Sequence, residues 1–148
     1  MAEKLAPRRA DYAWFRPVTP RWMDNDVYGH VNNAHYYSYF DTVVNRYLIE
    51  AGRLDIHAGK VVGYVVSSAC DFFRPVAYPD DLEVGLRVNR IGRSSVRYGV
   101  GLFTAGDDAA CAAGTVVHVF VDRGASGPVE IPEPIRRALE AILRQGRT

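Results

Sequence analysis

The chain has 148 residues and a formal net charge of +1, with 48% hydrophobic and 24% charged residues. This balance excludes a disordered chain, and the small net charge gives no overall attraction to nucleic acid. No stretch approaches the roughly 20 apolar residues of a membrane helix, because the most apolar piece, Val61 to Cys70, is broken by Gly63, Tyr64, Ser67 and Ser68.

The length fits one domain over residues 1–148, with an ordered core from about 12 to 143 and peripheral termini. Met1 to Arg9 is polar and has no apolar run of signal-peptide length, and Cys70 and Cys111 read as buried free thiols, so a reducing cytoplasm is expected. Arginine outnumbers lysine sixteen to two, so no arginine marks a phosphate site by its identity alone.

In chain order, the first expected element is a strand over about Trp14 to Trp22, whose Pro17 and Pro20 suit a sheet edge. A loop rich in Asp, Asn and Gly, Met23 to Val31, leads to a helix over Asn33 to Ala51. Asn32 can cap this helix and Gly52 can close it, while Tyr36, Phe40, Val43, Val44, Tyr47 and Leu48 recur at steps of three and four.

Strands follow at about Val61 to Phe73 and Asp81 to Ile91. In the latter, Leu82, Val84, Leu86 and Val88 alternate with Glu83, Gly85, Arg87 and Asn89. Val96, Tyr98, Val100 and Leu102 repeat the alternation, and Gly106-Asp107-Asp108 turns into a last strand over about Ala109 to Val121. Pro132 and Pro134 then open a short helix through Ile142.

The expected class is α+β: an antiparallel five-stranded sheet wrapped around one long central helix, with a short C-terminal helix. The long helix spans about 28 Å, enough to cross several strands. One helix covers one face only and edge strands remain open, so a homo-oligomer formed by edge pairing is expected.

The chemistry-bearing segment is DNDVYGHVNNAHYYSYFD, Asp24 to Asp41, which brings two carboxylates, a histidine and paired asparagines to the helix start. The first N–H groups of a helix and the positive end of its dipole can stabilise a developing oxyanion. On an extended backbone Asp24 and Asp26 lie on one side, so either could face those groups. Both are equally open to the ordinary role of turn former or cap.

This segment resembles the 4-hydroxybenzoyl-CoA thioesterase branch of the hotdog superfamily, whose members carry an Asp-x-Asp-x-x-Gly-His-x-Asn-Asn-like stretch entering the central helix. DFFRPVAYPDDLEV, VNRIGRSS and the order of elements extend the resemblance over most of the chain.

It implies a hotdog fold and hydrolysis of an acyl-CoA thioester. Asp26 would be the catalytic carboxylate, acting as general base or as nucleophile, and the backbone N–H of Asn33 would polarise the thioester carbonyl. His30 would orient the loop or act as acid or base. Tyr36 stands among the side chains around the acyl group, and Asp41 matches a position directed at the acyl end. Arg93, Ser94 and Ser95, at a strand-to-strand turn, would hold part of the CoA, which is otherwise the open surface of a hairpin tip; Arg74 has the same two readings.

No cofactor is implied, CoA being part of the substrate, and the expected assembly is a homodimer or homotetramer with composite sites. Spacing of His30 and His35 fits no zinc helix, so no metal is expected, and His35, His57 and His118 read as bystanders. The absence of a Gly-x-Ser-x-Gly elbow excludes an α/β-hydrolase, and no phosphate loop or dinucleotide fingerprint occurs. A non-catalytic acyl-CoA sensor is the alternative. A nucleic-acid module would rest on Arg90 to Arg97 alone.

Overall fold

Tyr36, Tyr39, Phe40, Val43, Val44, Tyr47 and Leu48 form one buried stripe along the long helix α1 (Asn33–Glu50), as their spacing requires. The computed structural model describes residues 5–125 and 127–144. Asn32 caps α1, its Oδ1 accepting the Ala34 N–H. Arg53, with φ 59°, is the left-handed residue after the helix, rather than Gly52. Gly52 serves a different need: a Cβ there would meet the Leu48 carbonyl at 2.7 Å and lie 3.4 Å from Ile135.

Five strands build an antiparallel sheet: β1 (Trp14–Val18), β2 (Val61–Phe72), β3 (Leu82–Ile91), β4 (Ser95–Thr104) and β5 (Ala112–Asp122). Their order is β1-β3-β4-β5-β2, so the first two strands occupy opposite edges. The helix α2 (Glu133–Ala141) buries Ile135, Ala138 and Leu139 beside β3.

The inward residues Leu82, Val84, Leu86 and Val88 of β3 and Val96, Tyr98, Val100 and Leu102 of β4 meet the apolar stripe of α1. This is the hotdog arrangement, a sheet wrapped around one helix. On the opposite sheet face, Tyr12 and Phe103 form a second apolar cluster with Phe15 packed against it. The Arg9 guanidinium lies 4.9 Å from the centre of the Phe103 ring.

Two strand ends differ from the expectation by more than one residue, each for a local reason. β1 stops at Val18 because the chain bends beyond Pro20 into a short turn, Trp22–Asp24, that carries Asp24 inward. β5 starts at Ala112 because the preceding residues bond the N-terminal segment: Asp108 O accepts from Arg9 N and Ala110 N donates to Pro7 O. Both cysteines are free, but only Cys111 is fully buried, Cys70 being half-buried with its thiol pushed up to about 12 chiefly by burial.

β2 is the longer of the two sheet edges, twelve residues against five in β1. Its outer side pairs with no strand among the described residues, and Tyr64, Val65, Val66 and Phe72 are half-exposed along it.

Candidate active site

The Trp22–Asp24 turn and the first turn of α1 hold the loop between them at fixed points. Asp24 is 0% exposed. Its Oδ2 accepts the Tyr39 hydroxyl at 2.6 Å and the Arg21 backbone N–H at 2.9 Å, and its Oδ1 accepts Arg21 Nε at 3.0 Å. Burial alone would raise the pKa of Asp24, but these donors outweigh it and hold the carboxyl below the ordinary value. The Asp24 carbonyl also accepts the Asn32 N–H at 3.0 Å, which ties the turn to the helix cap.

Asp26 turns the other way. Its backbone N–H donates to His30 O at 2.9 Å and its carbonyl accepts from Gly29, whose φ of 87° suits glycine, so residues 26–30 close into a tight loop. Within that loop Asp26 Oδ1 accepts the Tyr28 N–H at 2.9 Å, and Oδ2 accepts Asn32 Nδ2 at 3.1 Å. The two aspartates do not share a side, because Asp24 lies in a helical turn rather than on extended backbone.

Asn33 follows directly and opens α1. The next two N–H groups are used, Ala34 by Asn32 Oδ1 and His35 by Asn32 O. No hydrogen bond among the described residues takes the N–H of Asn33, the residue that follows the Asn32 side chain bonded to Asp26, so an available donor lies at the positive end of the helix one residue from that contact.

His30 is exposed, and its described hydrogen bond to Asp26 runs through its carbonyl. Tyr36 lies in the core at 3% exposure, its ring 5.0 Å from that of Phe72. Burial raises its pKa, opposed by a hydrogen bond from the backbone of Val76. Asp41 is exposed two turns further along α1, about 12 Å from Asn33 at 1.5 Å per residue, and accepts from Asn45 Nδ2.

Arg93, Ser94 and Ser95 are not brought to this loop within one chain. They form the β3–β4 hairpin, at the end of β3 opposite Leu82, whereas Asp26 lies by the Val18 and Phe72 end. The ten residues of β3 separate the two by roughly 30 Å. The hairpin carbonyls are engaged: Ile131 N and Arg136 Nη2 donate to Arg93 O, and Phe120 N to Ser94 O. Arg74 is held by Asp107, Thr104 and Cys111.

The sequence reading missed Asn32 as more than a cap; its only signal was the pairing of two asparagines six residues after Asp26. It also missed Val27 and Tyr28, which stand 96% and 84% exposed beside Asp26. Among the described residues no three His, Cys, Asp or Glu side chains gather as a metal site.

The family model of the thioesterase-like superfamily matches residues 18–139. The chain belongs to that superfamily. The structure of the PA5185 protein from Pseudomonas aeruginosa PAO1, 57% identical, aligns over 93% of this chain and 96% of its own with a TM-score of 0.92. A thioesterase from Thermus thermophilus, complexed with coenzyme A and Zn, is 32% identical, over 86% of this chain and 98% of its own, with a TM-score of 0.72. The uncharacterized protein YsmA of Bacillus subtilis is 26% identical over 116 residues, 78% of this chain and 77% of its own. The Asp24 to Asp41 segment lies inside the stretch matched to the superfamily.

Proposed function

We propose that the protein hydrolyses an acyl-CoA thioester to the free acid and CoA. One observation carries this reading: the Asp26 carboxylate is bonded to the cap residue of α1, next to the unused N–H of Asn33. The carbonyl oxygen would lie on the Asn33 N–H at the positive end of the helix, which stabilises negative charge as it forms.

Acting as general base, Asp26 takes a proton from water as the water oxygen bonds to the carbonyl carbon. The tetrahedral oxyanion collapses, the C–S bond breaks and the proton passes to the departing sulfur. Acting as nucleophile, Asp26 bonds the carbonyl carbon itself, releases the thiolate and leaves a mixed anhydride for water to cleave. Both routes need the same placement, and neither requires a cofactor beyond the CoA that belongs to the substrate. A coenzyme A complex of a 32% identical thioesterase supports CoA as the carrier.

The assembly we propose is a homodimer paired through β2, which can pair again into a tetramer. The open twelve-residue edge with half-exposed Tyr64, Val65 and Val66 supports it. Antiparallel pairing of two β2 strands sets the Val61 end of one beside the Phe72 end of the other. Tyr64 pairs with Val119 and Val119 with Ser95, so the partner's hairpin would lie about three strand spacings, roughly 14 Å, from this protomer's β2 at the Asp26 end. Arg93, Ser94 and Ser95 of the partner subunit would then serve the nucleotide end of the CoA, and Asp41 the acyl end. The two free thiols suit a reducing cytoplasm.

Free-thiol release measured across acyl-CoAs of increasing chain length tests the reading. Multiple turnover on at least one member supports hydrolysis; tight binding of acyl-CoA with no thiol released by any member assigns the protein to acyl-CoA sensing instead.

A further inference from the structure

Asn32 uses one side-chain amide in two directions. Its Oδ1 accepts the Ala34 N–H at 3.0 Å and its Nδ2 donates to Asp26 Oδ2 at 3.1 Å. The first bond fixes which amide atom is oxygen, because a backbone N–H can only donate. Its own backbone N–H is tied to the carbonyl of buried Asp24, so the residue has little freedom to tilt.

Capping does not explain the choice of asparagine. Serine, threonine and aspartate accept the same N–H comparably well, and aspartate adds a favourable charge at the helix start. What asparagine adds is a donor on a second atom of the same group: aspartate has no donor, and a serine or threonine O–H sits on the one oxygen, nearer the backbone, that must accept the Ala34 N–H, whereas Asn32 accepts at Oδ1 and donates to Asp26 from Nδ2. With Tyr28 N on Oδ1 and Asn32 Nδ2 on Oδ2, both carboxylate oxygens are held while each keeps a lone pair.

We propose that Asn32 is a positioning residue that locks the plane of the Asp26 carboxylate to the N-terminus of α1, so that the reacting carboxylate and the Asn33 oxyanion donor move as one unit. This rests on the reading of Asp26 as the reacting group. Sub-ångström placement matters at that step, since displacing a catalytic group by about 1 Å typically costs about a hundredfold in rate.

Two variants keep the cap and remove the Nδ2 donor, serine retaining only a hydroxyl on a shorter side chain and aspartate no donor at all. Asn32→Ser leaves an acceptor for Ala34 N, and Asn32→Asp leaves the acceptor and sets a second carboxylate against Asp26; Arg21, Asp24, Tyr28, His30, His35 and Tyr39, the titratable and charged groups around this loop, are untouched in both. Using the full chain, the expected result is a thermal midpoint within a few degrees of wild type for both, with kcat reduced about ten- to a hundredfold and KM nearly unchanged. In Asn32→Asp the acid limb of the kcat/KM profile also moves to higher pH, because like charges disfavour ionisation.

Wild-type kcat in Asn32→Ser, which does not depend on how Asn32→Asp folds, overturns the positioning role. So does a kcat that falls only in step with lost folded protein. Asp26→Asn at wild-type turnover overturns the reading beneath it, whereas an inactive Asp26→Asn beside a fully active Asn32→Ser overturns the positioning role alone.

Discussion

Asp24 and Tyr39 form a buried hydrogen bond of 2.6 Å that fastens the loop before α1 to the second turn of the helix. Asp24 also accepts two bonds from Arg21, so it is a satisfied buried charge. Asp24→Asn is expected to lower stability by about 2 to 4 kcal/mol, read from urea unfolding at neutral pH, since the amide puts donors where Tyr39 and Arg21 already donate. Its pH dependence has a definite sign. The folded pKa lies below 3.8, so as pH falls below that value the unfolded chain takes up the proton first and stability drops. The variant should show a flatter acid limb.

His118 gives a second pH signature in a different window. It is 1% exposed on β5, 3.2 Å from the Tyr98 hydroxyl through Nδ1, and burial lowers its pKa from 6.5 to about 4. Between those values the unfolded chain binds a proton that the folded chain refuses, so stability is full above 6.5 and falls as pH drops toward 4. The loss is about 3 kcal/mol at about 1.36 kcal/mol per unit. His118→Phe should remove this dependence in denaturant titrations run across the window, whatever its effect on absolute stability.

The open edge of β2 carries the oligomer prediction. Lysines at Val65 and Val66 should block edge pairing through charge repulsion, giving a monomer by sedimentation where the wild type is expected to sediment as a dimer or larger. If sites are composite, thioesterase activity should fall more than tenfold in the same protein. A monomeric variant with full activity would rule out a partner contribution.

The helix and most strands were legible because both rest on periodicity: Tyr36 to Leu48 at helical steps, and Leu82 to Val88 in alternation. Strand order was not, because alternation marks a strand without naming its neighbour, and β2 crosses to the far edge to pair with β5. Arg93 to Ser95 entered the candidate site through the resemblance and the expectation of composite sites, and about 30 Å of β3 separates them from Asp26 within one chain. Asp24 and Asp26 were indistinguishable as residues; a helical turn at Trp22 to Asp24, set by tertiary bonds to Tyr39 and Asn32, sends them apart. Tyr36 illustrates the converse: its place on the apolar stripe put it in the core against Phe72.

The most direct test of the account is acyl-CoA hydrolysis by Asp26→Asn, a swap that keeps the side chain's shape and removes its ability to take a proton or attack. The account predicts a folded protein of wild-type oligomeric state whose thiol release is reduced at least about a hundredfold. Turnover equal to wild type on the same substrate would contradict it.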